Sequence, residues 1–519
     1  MKKLIYSVLL LLFGISSQAQ SLIMDSTFAT NGFHKNLVPN TTSGILDVQV
    51  APNQKIYALC IKETGVDMAE SFVAKFNADG TLDNTYGSNG ISAAIALTNE
   101  YTTMYKMAIQ TDGKIVVIGE SYNYITQGNP TALAARLTSS GALDNTFGTG
   151  GKAIILTNWN MLVKTPESLS IQPDGKILIA IESLSDSSIF TRLNTDGSAD
   201  MSFGTNSVVQ PESKQGLFFN QIKVLSDGSI IGGGYRNIGG IVDTTYLVLY
   251  KFSSNGTLDN TFGQNGIATF DIPNYSEFSG YMDIQTDGKI IYGGSSYASN
   301  GSTLSAPLLV RFNANGSLDA SYNSGQGYVN FSIPNTESYI EDFKIDANNK
   351  VTAITSNSDI NGNPSIIFLR FNSNGTADNT FNGTSNYRIL DEIPFAESYA
   401  MDLQNDGKLV FGGIETDATF TAISTLLGRL KSSVNVGVQD FSITDKTKVY
   451  PTILYPNEII KLENASWVEH VSIMNTQGQM VLAKMSNQTV QLPNHLSSGK
   501  YQLVLTGNSN TKTISILVK

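Results

Sequence analysis

Few residues in this chain are equipped for acid–base, nucleophilic or metal chemistry. Only three histidines, His34, His470 and His495, occur in 519 residues, with a single cysteine, Cys60. Histidine is the usual general base and the commonest metal ligand near neutral pH, so a Ser-His-Asp arrangement or a histidine metal centre has little to draw on. Cys60 sits in the alternating run KIYALCIKE, where a small thiol reads as core rather than nucleophile. Carboxylates remain. Glu120, Glu182 and Asp243 follow strand-like runs, where a variable loop would place them at the mouth of a scaffold. Two such acids at a defined separation are what glycoside cleavage requires. Taken singly, each reads as a solvated loop charge. Trp159 and Trp467 are the only tryptophans, so a carbohydrate platform would have to draw on the 22 tyrosines. One aspartate recurs as Asp25, Asp83, Asp144, Asp200, Asp259, Asp319 and Asp378. Its oxygens would suit a ring of calcium sites. No dense Asp-x-Asp-x-Asp run accompanies it, so the aspartates read first as structural. No catalytic, cofactor-binding or metal-binding residue is assigned; calcium stands as the alternative to no cofactor.

What positions these residues is a tandem repeat. The recurring aspartates are spaced by 58, 61, 56, 59, 60 and 59 residues. A second phrase, QTDGKI in its clearest form, places its turn at Asn53, Asp112, Asp174, Asp227, Asp287, Asn348 and Asp406. A third is a basic residue followed by Phe or Leu, from Lys75-Phe76 to Arg429-Leu430. In YKMAIQTDGKIVVIGES apolar residues alternate on both sides of Asp112-Gly113, which predicts a hairpin closed by a type I′ turn. A strand at 91–97 before the hairpin and another at 131–137 after it complete a four-stranded unit. No segment keeps a helical period. Tandem four-stranded antiparallel units predict an all-β fold, a seven-bladed β-propeller of four-stranded blades followed by a small C-terminal β-sandwich. A parallel β-helix ranks second, because it needs shorter coils and no tight hairpin in each unit.

The phrase LDNTFGQNG (258–266) and its copies are rigidly spaced. The aspartate always falls eight residues after the basic residue, as from Arg311 to Asp319, with a glycine such as Gly316 five after it. The glycine allows a left-handed turn, the aspartate an Asx turn, and the aromatic (Tyr86, Phe147, Phe203, Phe262, Tyr322, Phe381) an apolar plug between blades. The phrase is expected to join the last strand of one blade to the first of the next. After Arg429 it fails, with Gly437 where aspartate is due, while residues 22–33 (LIMDSTFATNGF) form an orphan copy. The two ends complete each other if the ring closes, which also removes exposed sheet edges. QTDGKIVV and KFSSNGTLDNTFG resemble the delta-60 repeat family over about residues 22–431. The resemblance implies a β-propeller-like fold and brings no activity.

The N-terminus MKKLIYSVLLLLFGISSQAQ has a basic start, a short apolar stretch and small residues before a cleavage point, the pattern of a secretory signal peptide over 1–19. The mature protein carries no run long enough for a membrane span. With a net charge of −11, nucleic acid is disfavoured as a partner. The propeller is expected over 20–431, its N-terminal segment closing the last blade, then a linker over 432–445 and a β-sandwich over 446–519. That last segment resembles the C-terminal sorting domain of type IX secretion substrates through VYPTILYPNEIIKL, VSIMNTQGQMV, LSSGKYQLVL and the closing TISILVK. The family's Pro-Asn-Pro is only partly matched, since Pro456-Asn457 is followed by Glu458. The resemblance implies the type IX secretion machinery of a Gram-negative cell as partner of 446–519 and a secreted or cell-surface location; an ordinary immunoglobulin-like adhesion module is the other reading.

The function expected from these features is a non-catalytic binding or scaffold module for a glycan or protein ligand, acting through the face opposite the Asp-Gly hairpins. The alternative is a secreted glycan-cleaving hydrolase or lyase. Acids converging at the axial mouth beside stacked aromatics would favour the enzyme; an axis lined by small apolar residues would favour binding.

Overall fold

A computed structural model describes residues 21–433 and 448–519, less 125–129, 156–164, 183–187, 212–215, 238–244, 300, 302–303, 360–361, 418–421, 467, 476–479, 494–495 and 508–509. The signal segment, most of the linker, Trp159, Asp243, Trp467 and His495 lie outside the described residues. The chain divides into two compact units, Met1–Asn435 and Val436–Lys519.

The first unit repeats one antiparallel order in which spatial neighbours are also sequence neighbours. Thr165–Ile171, Ile177–Glu182, Ile189–Leu193 and Val208–Val209 make one such sheet. Leu217–Val224, Ile230–Asn237, Thr245–Phe252 and Ile267–Phe270 make the next. Two more follow, beginning at Tyr275–Ile284 and Thr336–Ile345. Upstream, a sheet beginning at Tyr101–Ile109 is joined to one beginning at Ser43–Val50 by a single parallel bridge from Ala69 to Tyr101. The last sheet, Ala396–Leu403, Leu409–Thr416 and Ile423–Ser433, is completed from the other end of the chain. Ser21–Met24 and Phe33–Lys35 both pair antiparallel with Ile423–Ser433, Ser21 opposite Ser433 and Phe33 opposite Gly428. The core lies between neighbouring sheets: Val116 and Ile118 of one pack with Ile177 and Ile179 of the next. Phe28, Ile45, Cys60, Val410 and Leu427 pack together in the same way.

Two sequence expectations are corrected. The phrase does not join one blade to the next. It turns the chain back between the third and fourth strands of a single sheet, so residues 91–97 lie beside Met68–Phe76 through the bridges Ala74–Ile91 and Ser71–Ile95. The reason is the tightness of the phrase: Asp83 N–H donates to Lys75 O at 2.8 Å, which returns the chain onto the strand it has just left. The Asp-Gly hairpins are also not type I′. Only the glycine has positive φ (80° at Gly113), and Gln110 N–H donates to Lys114 O while Gly113 N–H donates to Gln110 O. That is a three-residue loop with its left-handed residue last, and Lys114 N–H caps Asp112 Oδ1 at 3.1 Å. Where the glycine is missing, Gln54 (φ 66°) and Asn349 (φ 59°) take its conformation.

Each phrase is an Asx turn, and all but the last hook the next phrase. Thr146 N–H and hydroxyl both donate to Asp144 Oδ1, at 3.0 and 2.7 Å. Gly148 N–H donates to Asp196 O at 2.7 Å, and the Phe147 ring fills the space a side chain would take at Gly197 (φ 83°). Arg192 crosses the same boundary: Nε donates to Asp200 Oδ2 at 2.7 Å, Nη1 reaches Ser254 O of the following phrase at 2.6 Å, and the guanidinium lies 4.5 Å over Phe203. Arg429 does the same with residues from the start of the chain, Asp25, Ala78 and Phe28.

The second unit has two sheets. One runs Lys448–Tyr450, Ile459–Glu463, Thr489–Gln491, Lys484–Ser486. The other runs Ile453–Leu454, Asn510–Val518, Gly499–Gly507, His470–Asn475, Met480–Leu482, with one parallel pair at its edge. Residues from both, including Ile460, Val490, Ile473 and Leu503, share one core. Among the described residues no helix is long and apolar enough to cross a membrane.

Candidate functional site

The first strand of every sheet in the first unit packs against the first strand of the next, and Ala396–Leu403 packs against Ser43–Val50. Each of these strands breaks register at the same place, seven residues before the hairpin turn residue. The residues left unpaired are Leu46, Tyr105, Glu167, Asn220, Gly280, Glu341 and Tyr399. A bulge re-aims the extra side chain out of the ladder. Here Glu167, Asn220, Gly280 and Glu341, from four different sheets, line one recess of about 330 Å³ together with Lys106, Phe278 and Tyr281.

A belt of charge lies on the hairpin side of the bulges. Asp47 accepts from Val48 N at 2.9 Å and, across the sheet boundary, from Met107 N at 2.8 Å. Asp342 accepts from Phe343 N (2.8 Å) and Met401 N (3.0 Å), and Asp402 from Leu403 N (2.8 Å) and Val50 N (2.7 Å). These carboxylates staple neighbouring first strands by satisfying backbone donors that have no ladder partner. Burial pushes Asp47 up to about 6, against the pull of Lys106, the Met107 N–H and Lys344. Lys344 Nζ binds Asp342 at 2.8 Å. Lys106 Nζ stands 3.3 Å from Tyr281 Oη and 4.9 Å over its ring. Burial would discharge Lys106, but Tyr281, Asp47 and Asp342 hold its pKa above the usual lysine value.

The mouth on the other side is acidic and aromatic. Tyr105 Oη donates to Glu120 Oε1 at 2.9 Å, and Tyr399 Oη to Glu397 Oε2 at 2.7 Å. Glu167 is pushed up to about 7, first by burial and then by the charges of Glu182 and Glu120, with Lys106 opposing. Burial also raises Glu182. Beside them runs a row of half-buried rings: Phe218 stacks on Tyr235 (4.9 Å), Tyr235 meets Phe278 (5.3 Å), and Phe278 stacks on Tyr297 (5.7 Å).

Of the residues singled out in the sequence, Glu120 and Glu182 fall at this mouth, while Asp243 and Trp159 lie outside the described residues. Glu167, Lys106, Asn220, Glu341 and Phe278 were not singled out. For Glu167, Asn220 and Glu341 the signal that would have found them is a column of the repeat, seven residues before the hairpin turn, in which residue type varies from unit to unit. The phrase aspartates stand elsewhere. Asp319 Oδ2 takes Arg311 Nε at 2.7 Å and Lys289 Nζ at 2.9 Å, while Oδ1 takes the Ser321 N–H and hydroxyl. Its oxygens are thus engaged by protein donors. Among the described residues no three His, Cys, Asp or Glu side chains group as a metal site. Cys60 is buried, and burial pushes its thiol well above the usual range. A larger hollow of about 1220 Å³ is walled by the turns around Gly148–Gly150 and Asp196–Ala199, with no convergent acids.

One buried acid yields a pH prediction. Glu277 is fully buried; Oε1 accepts from Ile272 N at 2.9 Å and Oε2 has no hydrogen-bond partner. Burial pushes it up to about 8 from an ordinary 4.5. Between those values the folded protein keeps a proton that the unfolded chain has lost, so stability falls as pH rises through that window and levels off above it. Glu277→Gln removes the slope. In melts across the window the variant is expected to gain on the parent as pH rises, by up to roughly 5 kcal/mol for the full shift. Parallel curves would show that Glu277 does not titrate there.

Five stretches, residues 110–147, 172–203, 225–262, 285–322 and 347–381, match a family model described as a domain of unknown function (DUF5122), beta-propeller. No curated protein matches the chain. Among solved structures it is similar to a protein of unknown function from Dyadobacter fermentans DSM 18053, at 9% identity over 65% of this chain and 96% of that one, TM-score 0.44. It is also similar to a polysaccharide lyase of family PL25, an ulvan lyase (12%, 79% and 98%, TM-score 0.43). A third is the PQQ-bound aldose sugar dehydrogenase of Streptomyces coelicolor (9%, 64% and 96%, TM-score 0.37). Likeness at this level brings no activity to the chain. The repeat is matched in five places and the same antiparallel sheet order recurs along the first unit, which is therefore built from β-propeller repeats.

Proposed function

We propose that the first unit is a closed seven-bladed ring that binds a glycan at the mouth opposite its Asp-Gly hairpins, and that the second unit is a β-sandwich that directs export. Support for the ring comes from the packing of Ala396–Leu403 on Ser43–Val50 and the pairing of residue 21 with residue 433. Support for export comes from the signal-like N-terminus and the type IX resemblance of 446–519, giving a secreted or surface-held protein.

The observation that carries the glycan reading is the row Phe218, Tyr235, Phe278 and Tyr297, of which Phe278 also lines a polar recess. Apolar sugar faces stack on such rings, while hydroxyls find Asn220, Lys106 and carboxyls beside them. Phe278→Ala removes the ring shared by row and recess. Screening the parent and this variant on a glycan array tests the reading: array binding lost in the variant at an unchanged melting temperature is expected, and identical binding by both defeats it.

A second reading, glycan cleavage, is favoured by the two acids Glu167 and Glu341, which enter the recess from different sheets. With Glu167 near 7, one of them could hold a proton at neutral pH for a leaving group, as an acid pair must. Binding stands first because it needs only what the recess holds, whereas cleavage also needs both acids to flank one bond. Product analysis of each array hit separates them.

A further inference from the structure

Two recesses lie on opposite sides of one layer of side chains. The mouth-side recess, about 330 Å³, begins at the bulges. The second, about 250 Å³, lies within the charged belt and takes residues from all seven first strands, from Asp47 to Asp402. Lys106, Gln221 and Tyr281 line both. Each of the three stands one residue after a bulge, at Tyr105, Asn220 and Gly280. They are fastened at that level. Lys106 Nζ donates to Tyr281 Oη at 3.3 Å and lies 4.9 Å over its ring. The bond ties Tyr101–Ile109 to Tyr275–Ile284, although the first strands Thr165–Ile171 and Leu217–Val224 come between them in chain order. Gln221 Nε2 donates to Gly280 O at 2.7 Å. This layer is a floor between the two recesses.

A floor makes the mouth-side recess blind. A chain that continued in both directions would have to enter and leave by one opening, whereas a chain end needs to enter only once. The volume is at the small end of ligand sites, roughly 300–1,000 Å³, which suits a terminal unit better than a long segment. Lys106, the ammonium in the floor, is already answered by Tyr281, Asp47 and Asp342. Glu120 and Glu182, which face Glu167, would meet an anion with like charge. A neutral sugar avoids both difficulties, its ring against Phe278 and its hydroxyls toward Asn220 and Ser295.

Building on the glycan reading, we infer that this recess is a chain-end site, which takes the terminal residue of a neutral β-linked glycan while the residues behind it lie along the ring row. The full chain is titrated calorimetrically with cellohexaose, with cellohexaose methylated at its non-reducing O4, and with cellohexaose reduced to its alditol. One of the two blocked forms is expected to bind about tenfold more weakly than the parent sugar. A long soluble β-1,3/1,4-glucan is expected to saturate at one protein per chain rather than in proportion to its residues. Tyr281→Ala, which takes the ring out of the floor, is expected to restore binding of the weakened form; Tyr281→Phe, which keeps the ring, is not. The comparison of blocked and free ends needs neither variant, so it decides if the Ala variant fails to fold. Equal binding of all three hexamers, or polymer saturation that grows with chain length, overturns the inference and leaves the glycan reading standing. If cellohexaose does not bind while the array finds another glycan, the inference alone falls; an empty array removes both.

Discussion

Deleting residues 21–33 is expected to abolish the cooperative melt of the first unit. Those residues are an integral strand of the last sheet. Phe28 is fully buried, and its ring occupies the space beside Gly80. Removing such a side chain costs about 3–5 kcal/mol. Asp25 is fully buried too, between Arg429 Nη2 at 2.7 Å and Lys431 Nζ at 2.9 Å. Stripping one partner from a buried ion pair costs about 3–5 kcal/mol more. The pairing edge of Ile423–Ser433 would also be exposed. Set against a usual total of about 5–15 kcal/mol, these losses leave little or no stability. Differential scanning calorimetry measures the outcome, with Phe28→Ala as the milder control. An unshifted transition in the deletion would mean that the orphan phrase closes nothing.

Breaking the Arg311–Asp319 pair is expected to be nearly as severe. Both side chains are about 6–7% exposed, with Nε 2.7 Å from Oδ2. Arg311 also bonds Ser373 O in the next phrase and lies 4.3 Å over Tyr322. Burial alone would raise the pKa of Asp319, but Ser321, Lys289 and the charge of Arg311 outweigh it and hold it well below the usual carboxylate range. The stability this contributes is present above the ordinary aspartate pKa and is lost as pH falls through the lower folded value. Arg311→Met and Asp319→Asn are each expected to cost about 3–5 kcal/mol, and urea titration of the double variant to recover more than 1 kcal/mol, roughly the least expected of a buried pair. Additive losses would mean that the eight-residue spacing serves turn geometry alone.

The elements easiest to read from the sequence are those that repeat. Asp-Gly turns, the left-handed glycines and the Arg–Asp spacing recur because one local problem is solved the same way in each unit. Residues 91–97 were misassigned because a short strand beside a tight turn pairs equally well, on paper, with the strand before or after it. Only the Asp83 N–H to Lys75 O bond decides the matter. The hairpin type was misread because Asp112-Gly113 fits two loop lengths, and Lys114 N–H capping Asp112 selects the longer. The recess stayed hidden for the opposite reason. Glu167, Asn220, Gly280 and Glu341 are separated by 53 to 61 residues from one to the next and are of three different types, so nothing in one repeat points to them. Glu120 and Glu182 could be placed because they follow strands; what they face could not.

The pairing of Ser21 with Ser433 sets an order of events in time. A strand at the very start of the array has no partner until the whole array has been made. Until then each finished sheet can hook only the one before it, and the growing chain keeps an unpaired strand at one end and a half-built sheet at the other. The final docking carries the highest contact order in the molecule, so it should be the slow phase of refolding. A chain halted before residue 423 would present both open edges at once, the state in which one copy lends its first strand to another.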